Sequence, residues 1–431
     1  MNIYKNQIPV MILFGAIPEV RENSLLLKIV NSLKHHDFSD LYNSGSYNDI
    51  ILEGCRVITK AFTKRLHSDT EKSHIIPLSG GLDSRLVLSN LIAFVDKKNI
   101  HTVTYGAPGT LDYELGKDVS KALGIQNTSF DSSSMDFDIN KSKWTTEHCI
   151  KYVLKMGDSL KEYFDTTHIV NEVLGFTKEN IYWTGFLGGS LAGSKLNRRE
   201  IDSWQKTVQE FITHNFLDKT YSPLTKHGDS FLPESPLCSN EILSYQDQFN
   251  FAFRQDLLIR KGRFQDGYDW RCLFLDDELI AFFLQAPYSL RVNRKLYKDI
   301  LIQMFPKEFS FPTKTEYGAP LRCSTYKNLY KLTYTVTNRF RKIQGRLHLG
   351  TNQHDIGTSI RKKNDLRCVL KENIQSLSSR NLISWVNPVR LFEEHISGNT
   401  SHETMLMSLF WFEIRLKAGV ITIDNSDKYQ E

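Results

Sequence analysis

The stretch from His74 to Val95 reads HIIPLSGGLDSRLVLSNLIAFV and joins a buried strand, a glycine turn and a helix start in one run. His74 to Leu78 is apolar and of strand length. Leu82 to Val95 is apolar on nearly every side, as expected of a helix packed over a parallel sheet. Between them, Ser79-Gly80-Gly81 lets the backbone turn sharply and approach a ligand closely. The free N–H groups of the helix start then point at whatever lies above the strand end, which is how a phosphate is held. Asp83 is the odd member. A carboxylate in that turn repels phosphate unless a divalent cation lies between them, so Asp83 is the candidate magnesium ligand. The plainer reading is an ordinary strand-to-helix loop in which Asp83 or Ser84 satisfies first-turn N–H groups. It gives way because the motif follows a strand and opens a helix, as a phosphate site should.

Outward from this stretch, 431 residues that are 40% apolar and 24% charged leave room for two or three domains or subdomains. The most apolar N-terminal run, Pro9 to Ile17, is too short to span a bilayer and is followed by Glu19 and Arg21, so neither a membrane span nor a signal peptide is expected. Cys55, Cys149, Cys238, Cys272, Cys323 and Cys368 are scattered singly with no Cys-x-x-Cys pair. That pattern predicts reduced thiols in a cytoplasmic protein and argues against a zinc ribbon. A net charge of +5 is mild at this length and predicts no nucleic-acid partner.

Residues 1–70 carry the apolar-periodic segments Leu25 to Leu33 and Ile50 to Leu66, which predict a helical N-terminal segment. After the loop helix, Ile100 to Tyr105 alternates as a strand should and ends at Gly106. Its carboxyl end is expected beside the first loop, with Tyr105 and Gly106 touching adenine or ribose. Asp112-Tyr113-Glu114 opens a helix that stops at Gly124, and a short strand follows near Thr128 to Phe130. Asp112 and Glu114 are read as structural, since acids at a helix start are common capping choices. Residues 144–176 read as helical, and Ile181 to Thr184 as a strand running into the glycine-rich Gly185 to Ser194. Residues 201–241 are polar and broken by Pro223, Pro233 and Pro236, which suits an insertion or lid. Asp276 or Asp277 is expected as a helix N-cap. Between Lys331 and Glu372, ten Lys or Arg residues face three acids, which predicts a solvated basic loop able to attract an acidic substrate. Thr404 to Phe412 carries an aromatic stripe of the kind that forms core.

Ser79-Gly80-Gly81-Leu82-Asp83-Ser84 resembles the pyrophosphate loop of the ATP pyrophosphatases. The Leu-Asp-Ser-Arg ending is most similar to the synthetase domain of the asparagine synthetase family. Tyr105 to Ile125, Asp269 to Ile280, and Arg294 through Pro312 to Pro320 resemble further stretches of that family. The resemblance implies an α/β fold with a parallel sheet and helices on both faces, like the adenine nucleotide alpha hydrolases. It implies a synthetase domain over 71–330, with 331–431 supplying the basic loop and packed C-terminal helices. It also implies ATP and magnesium as cofactors, with Asp83 holding the metal. Leu78, Ser79, Gly80, Gly81 and Ser84 would bind ATP and pyrophosphate, Arg85 and Lys314 would offset charge, and Gly185 would border the acyl-adenylate.

Two departures from the family stand out. Its second glycine loop carries acidic residues that hold magnesium, whereas Phe186 and Gly189 occupy those positions here. Its glutaminase domain uses a cysteine at the amino terminus, whereas Asn2 stands here with only residues 1–78 ahead of Ser79, so no glutamine hydrolysis is expected. The expected reaction joins a small-molecule or peptide carboxylate to ammonia or another amine, with ammonia supplied by a separate glutaminase if one takes part. Three alternatives stay open: a non-catalytic nucleotide-binding scaffold or partner subunit, an RNA-modifying enzyme that adenylates a base, and a cyclase joining an amine and a carboxylate of one molecule.

Overall fold

A computed structural model of the chain describes residues 1–19, 24–131, 144–156, 175, 177–197, 199–216, 231–260, 263–264, 267–322, 326–344, 346, 348–350, 356–398 and 400–424. Among them the strands are β1 (Asn2–Tyr4), β2 (His74–Pro77), β3 (Ile100–Gly106), β4 (Gln126–Asp131), β5 (Ile181–Trp183), β6 (Asp269–Arg271) and β7 (Thr422–Asp424). Five form one parallel sheet in the order β4-β3-β2-β5-β6. The chain steps from β2 through β3 to β4 in one direction and then returns to place β5 and β6 on the other side of β2. That reversal beside β2 is the position at which open α/β sheets leave a crevice for ligands outside the carboxyl ends of their strands.

Strand periodicity sorts the side chains. His74, Ile76, Thr102, Thr104, Ile181 and Trp183 face one way, and helices flank the sheet there. The helix Tyr47–Leu66 lays Phe62 on Trp183 with ring centroids 4.9 Å apart. The helix Leu111–Leu123 brings Ser120 Oγ within 2.8 Å of Thr102 Oγ1. Buried Trp183 donates its indole N–H to His74 Nδ1 at 3.0 Å, so the polar atoms this face buries are paired. Ile75, Val103 and Tyr182 point to the other face and gather Tyr105, Phe130, Tyr268 and Trp270 around them.

The N-terminal segment is helical as expected, through Ile8–Phe14, Leu25–His35, Ser39–Ser44 and Tyr47–Leu66. Leu25–His35 packs on the helix Asp277–Gln285 and Tyr47–Leu66 on Lys295–Met304, while Ile8–Phe14 packs on Glu403–Lys417. The main apolar cluster among the described residues therefore runs from Ile3 to Ile421, apart from the small one on the other face of the sheet. Asp276 is the N-cap expected, accepting from the N–H groups of Glu278 and Leu279. Gly124 ends its helix at φ +68°, where a side chain would be strained. Phe410, Trp411 and Phe412 are core, and His395 is buried with a bond to the Gly357 carbonyl.

One expectation is corrected. The stretch read as a basic loop carries the helices Lys327–Ile343, Ile356–Lys362 and the start of Asn364–Ser379. Its charge count masked the helical spacing of Leu329, Leu332, Val336 and Phe340. Ahead of the N-cap at Asp276, Asp269–Arg271 adds strand β6, for which the sequence held no expectation, and its Arg271 is tied to Asp69 at 2.6 Å and Asp269 at 2.8 Å. Of the helix expected over 144–176, Thr146–Met156 is present, and residues 157–174 and 176 lie outside those described. Of the insertion, Trp204–Asn215 is helical, and 217–230 lie outside. Among the described residues no helix is long and apolar enough to cross a membrane.

Candidate functional site

The loops that leave β2 and β5 meet above the carboxyl edge of the sheet. A Cβ at Gly185 would stand 2.9 Å from Asp83 Cβ and 3.0 Å from Ser84 N, and one at Gly80 would stand 2.7 Å from the Leu111 carbonyl. Glycine is therefore required at both positions so that the two loops and the following helix can touch. Leu78 is committed to the sheet, its N–H donating to the Val103 carbonyl at 2.8 Å and its carbonyl accepting from Thr104 at 3.2 Å. The turn braces itself: the Ser79 N–H donates to Ser84 Oγ at 3.3 Å and the Gly81 N–H to Ser79 Oγ at 3.2 Å. The helix Asp83–Phe94 has no side-chain cap. Its first-turn N–H groups have no intrahelical acceptor, and their dipole favours negative charge. These orphan donors fit a phosphate group.

Asp83 turns away from that donor set toward β5 and the helix Lys295–Met304. Its Oδ1 accepts from the Tyr297 hydroxyl at 2.9 Å and its Oδ2 from the Gly189 N–H at 3.0 Å. Burial pushes the carboxyl above the usual carboxylate range, while Arg294, Tyr297 and the Gly189 N–H pull it back. Because the folded value is raised, stability linked to this group is full at acid pH and is lost as pH rises through that value. The metal expectation fares less well than the phosphate one. Both carboxylate oxygens already accept from donors, no acid stands at Gly189, and no cluster of His, Cys, Asp or Glu able to hold a metal occurs among the described residues. The described side chains do not by themselves make a magnesium site.

Lys314 comes to the first loop from a distant part of the chain. Its N–H donates to the Gly80 carbonyl at 2.9 Å, and its ammonium pairs with the buried Asp112 carboxylate. Arg85, expected to offset phosphate charge, is placed elsewhere. Its guanidinium is buried and donates to the carbonyls of Phe311 at 3.1 Å and Pro312 at 2.7 Å, with a longer 3.4 Å contact to that of Glu308. Burial without a carboxylate brings its pKa down to about 10. On the first helical turn the outward and inward directions differ by only one residue, and Arg85 takes the inward one. It holds the segment that carries Lys314.

Gly106, at φ +153°, ends β3 opposite Asp131 of β4, whereas Tyr105 lies on the aromatic face of the sheet. Three further cations gather after the Gly185 loop: Arg294 lies near Asp83, and Arg254 and Arg294 lie near Lys195. Lys195 is lowered by burial and by nearby Arg254 and Arg294, and none of the three forms an ion pair among the described residues. Arg254 sits in a π-helix, Asn250–Ile259, and Arg294 follows Asn293 in a left-handed pair with φ +59° and +57°. Such backbone is held only where its surroundings force it. Sequence reading missed Tyr297, Arg254 and Arg294, and it read Asp112 as structural without showing its partner Lys314. For Arg294 and Tyr297 the available signal was their place in the Arg294 to Lys298 stretch. Asp112 had none, because its spacing is that of an ordinary helix start.

No protein-family model matches the chain. The similarity found is to an asparagine synthetase. A probable glutamine-hydrolysing asparagine synthetase of Acanthamoeba polyphaga mimivirus is 33% identical over 84 residues, which is 20% of this chain and 15% of that relative. The match thus spans well under a fifth of the asparagine synthetase's length. It supports a distant relationship of amidoligase type and carries no specific reaction with it.

Proposed function

We propose that the chain is an ATP-dependent amide-forming synthetase: it adenylates a carboxylate, releases pyrophosphate and passes the acyl group to ammonia or another amine. The observation that carries this reading is the 2.9 Å bond from the Lys314 N–H to the Gly80 carbonyl. Two segments singled out separately in the sequence stand together at an uncapped helix start. In the reaction, a carboxylate oxygen attacks the α-phosphorus of ATP, the bond to the bridging oxygen breaks, and pyrophosphate leaves with that electron pair. The Ser79–Gly81 turn and the helix start would hold the departing pyrophosphate, with Lys314 beside the oxygens on which charge builds. Lys195, Arg254 and Arg294, which form no ion pair among the described residues, favour an anionic substrate on the β5 side. The amine then displaces AMP.

The test is ATP-dependent pyrophosphate release by the purified chain, in magnesium buffer, over a panel of carboxylic acids, with Asp83→Ala as control. Release that requires one acid and vanishes in the control is expected. Binding of ATP with no release for any acid would leave a nucleotide-binding scaffold as the reading.

Gly189 favours that second reading, and it has its own test. A Cβ there would stand 3.3 Å from Asp83 Oδ2, so Gly189→Asp sets a second carboxylate against the first. Without a cation the repulsion should lower stability by about 1–3 kcal/mol, and millimolar magnesium should restore the melting temperature. If the scaffold reading holds, the substitution also confers pyrophosphate release on a chain that lacks it. A melting temperature indifferent to magnesium would show that position 189 does not face a metal-binding space.

A further inference from the structure

The helix Lys327–Ile343 packs beside the Lys314–Tyr317 turn and touches the body along a narrow line. Lys327 Nζ stands 2.5 Å from Glu316, the Tyr334 ring is 5.3 Å from Tyr317, and Asn338 Oδ1 accepts the Leu349 N–H at 2.7 Å. Leu349 in turn accepts from the Leu111 N–H at 2.8 Å. At ~100° per residue, Leu329, Leu332, Val336, Phe340 and Ile343 fall in a band about 80° wide on the opposite side. They stand in solvent: Leu332 is 60% exposed, Phe340 62% and Ile343 82%. Single exposed apolar residues need no explanation, but a contiguous row pointing straight away from the protein marks a contact surface.

Charge chooses the occupant. The helix carries Lys327, Lys331, Arg339, Arg341 and Lys342 and has no Asp or Glu. Arg339 and Lys342 are exposed and flank the apolar row on one side. A second copy of the same helix would bring these cations together, and like charges across a contact oppose it. The row is also a convex ridge one helix wide, which sinks between lipid chains more readily than it fits a flat protein surface. Exposed cations flanking a row of Leu, Val, Phe and Ile are what a helix needs to lie against an anionic bilayer surface.

We infer that the helix Lys327–Ile343 docks the protein on an anionic lipid surface, with Leu329, Leu332, Val336, Phe340 and Ile343 entering the boundary between headgroups and chains. This surface is separate from the nucleotide site and stands whether or not the chain is a synthetase.

The experiment is co-sedimentation of the full chain with phosphatidylcholine vesicles, with and without phosphatidylglycerol. Binding is expected with phosphatidylglycerol, weaker binding with phosphatidylcholine alone, and a loss of about tenfold or more in the double variant Phe340→Glu/Ile343→Glu. Both side chains are exposed, so the variant should keep the wild-type melting temperature and circular dichroism. Arg339→Gln/Lys342→Gln should weaken only the phosphatidylglycerol-dependent part. Absence of binding to phosphatidylglycerol vesicles, or binding untouched by the glutamates, overturns the inference. So does a dimer in solution that the glutamates split while vesicle binding is absent, which would give the ridge to a second copy.

Discussion

Replacing Lys314 by Met should lower the rate of ATP-dependent pyrophosphate release by about 10²–10³-fold while changing the KM for ATP far less. A fixed cation beside oxygens that gain charge as pyrophosphate leaves acts mainly on the transition state, and loss of one such group typically costs that much. The difficulty is that Lys314 also neutralises Asp112, which is 5% exposed and would be left as a buried, unpaired carboxylate. The single variant therefore loses stability as well as rate. Lys314→Met/Asp112→Asn separates the two effects, because it removes both charges. Its melting temperature should return toward wild type while its rate stays low. A double variant with restored rate would make the pair a structural ion pair and remove Lys314 from the chemistry.

Arg85→Met should destabilise the chain by about 3 kcal/mol, one of the larger effects available to a single side chain here. Met keeps the aliphatic stem but leaves the carbonyls of Phe311 and Pro312 without their donor in a buried place. Arg85→Lys should recover little, since one ammonium cannot reproduce a fork that meets successive carbonyls. Denaturant melts measure this directly. If Arg85 faced a phosphate instead, Met would leave stability near wild type and raise the KM for ATP, and that outcome would reverse the assignment. Because the segment it holds leads into Lys314, residual activity in the folded fraction should also fall, in kcat more than in KM.

How far the sequence foretold these arrangements depended on whether the signal was local. HIIPLSGGLDS and IHTVTYG state strand, turn and helix start within a few residues, and the parallel sheet follows from them. β6 escaped because three residues, two of them charged, give no alternation to read. The basic stretch reads as a loop by its charge, although Leu329, Leu332, Val336 and Phe340 keep a helical interval. The close approach at Gly80 and Gly185 was legible because it limits residue choice to glycine, whereas Lys314 stood out only through the family resemblance. The Tyr297 hydroxyl that meets Asp83, and the Asp112 that meets Lys314, come from more than 200 residues away. Nothing in a helix pattern says which distant carboxylate or hydroxyl it will face.

The pairing of β1 with β7 sets a schedule for synthesis. Asn2 pairs with Thr422, 420 residues later in the chain. At the usual rate of translation of about 5–20 residues per second, the first strand waits about 20–80 s for its partner to be made. Over the same interval the helix Ile8–Phe14, with Val10 to Phe14 all buried in the finished fold, lacks the Glu403–Lys417 helix that covers it. The nascent chain thus carries an uncovered apolar N-terminal segment until residues 403–424 have left the ribosome. The central sheet is free to assemble earlier, and a ribosome stalled before Glu403 would hold a folded sheet with a sticky end, a natural client for a chaperone.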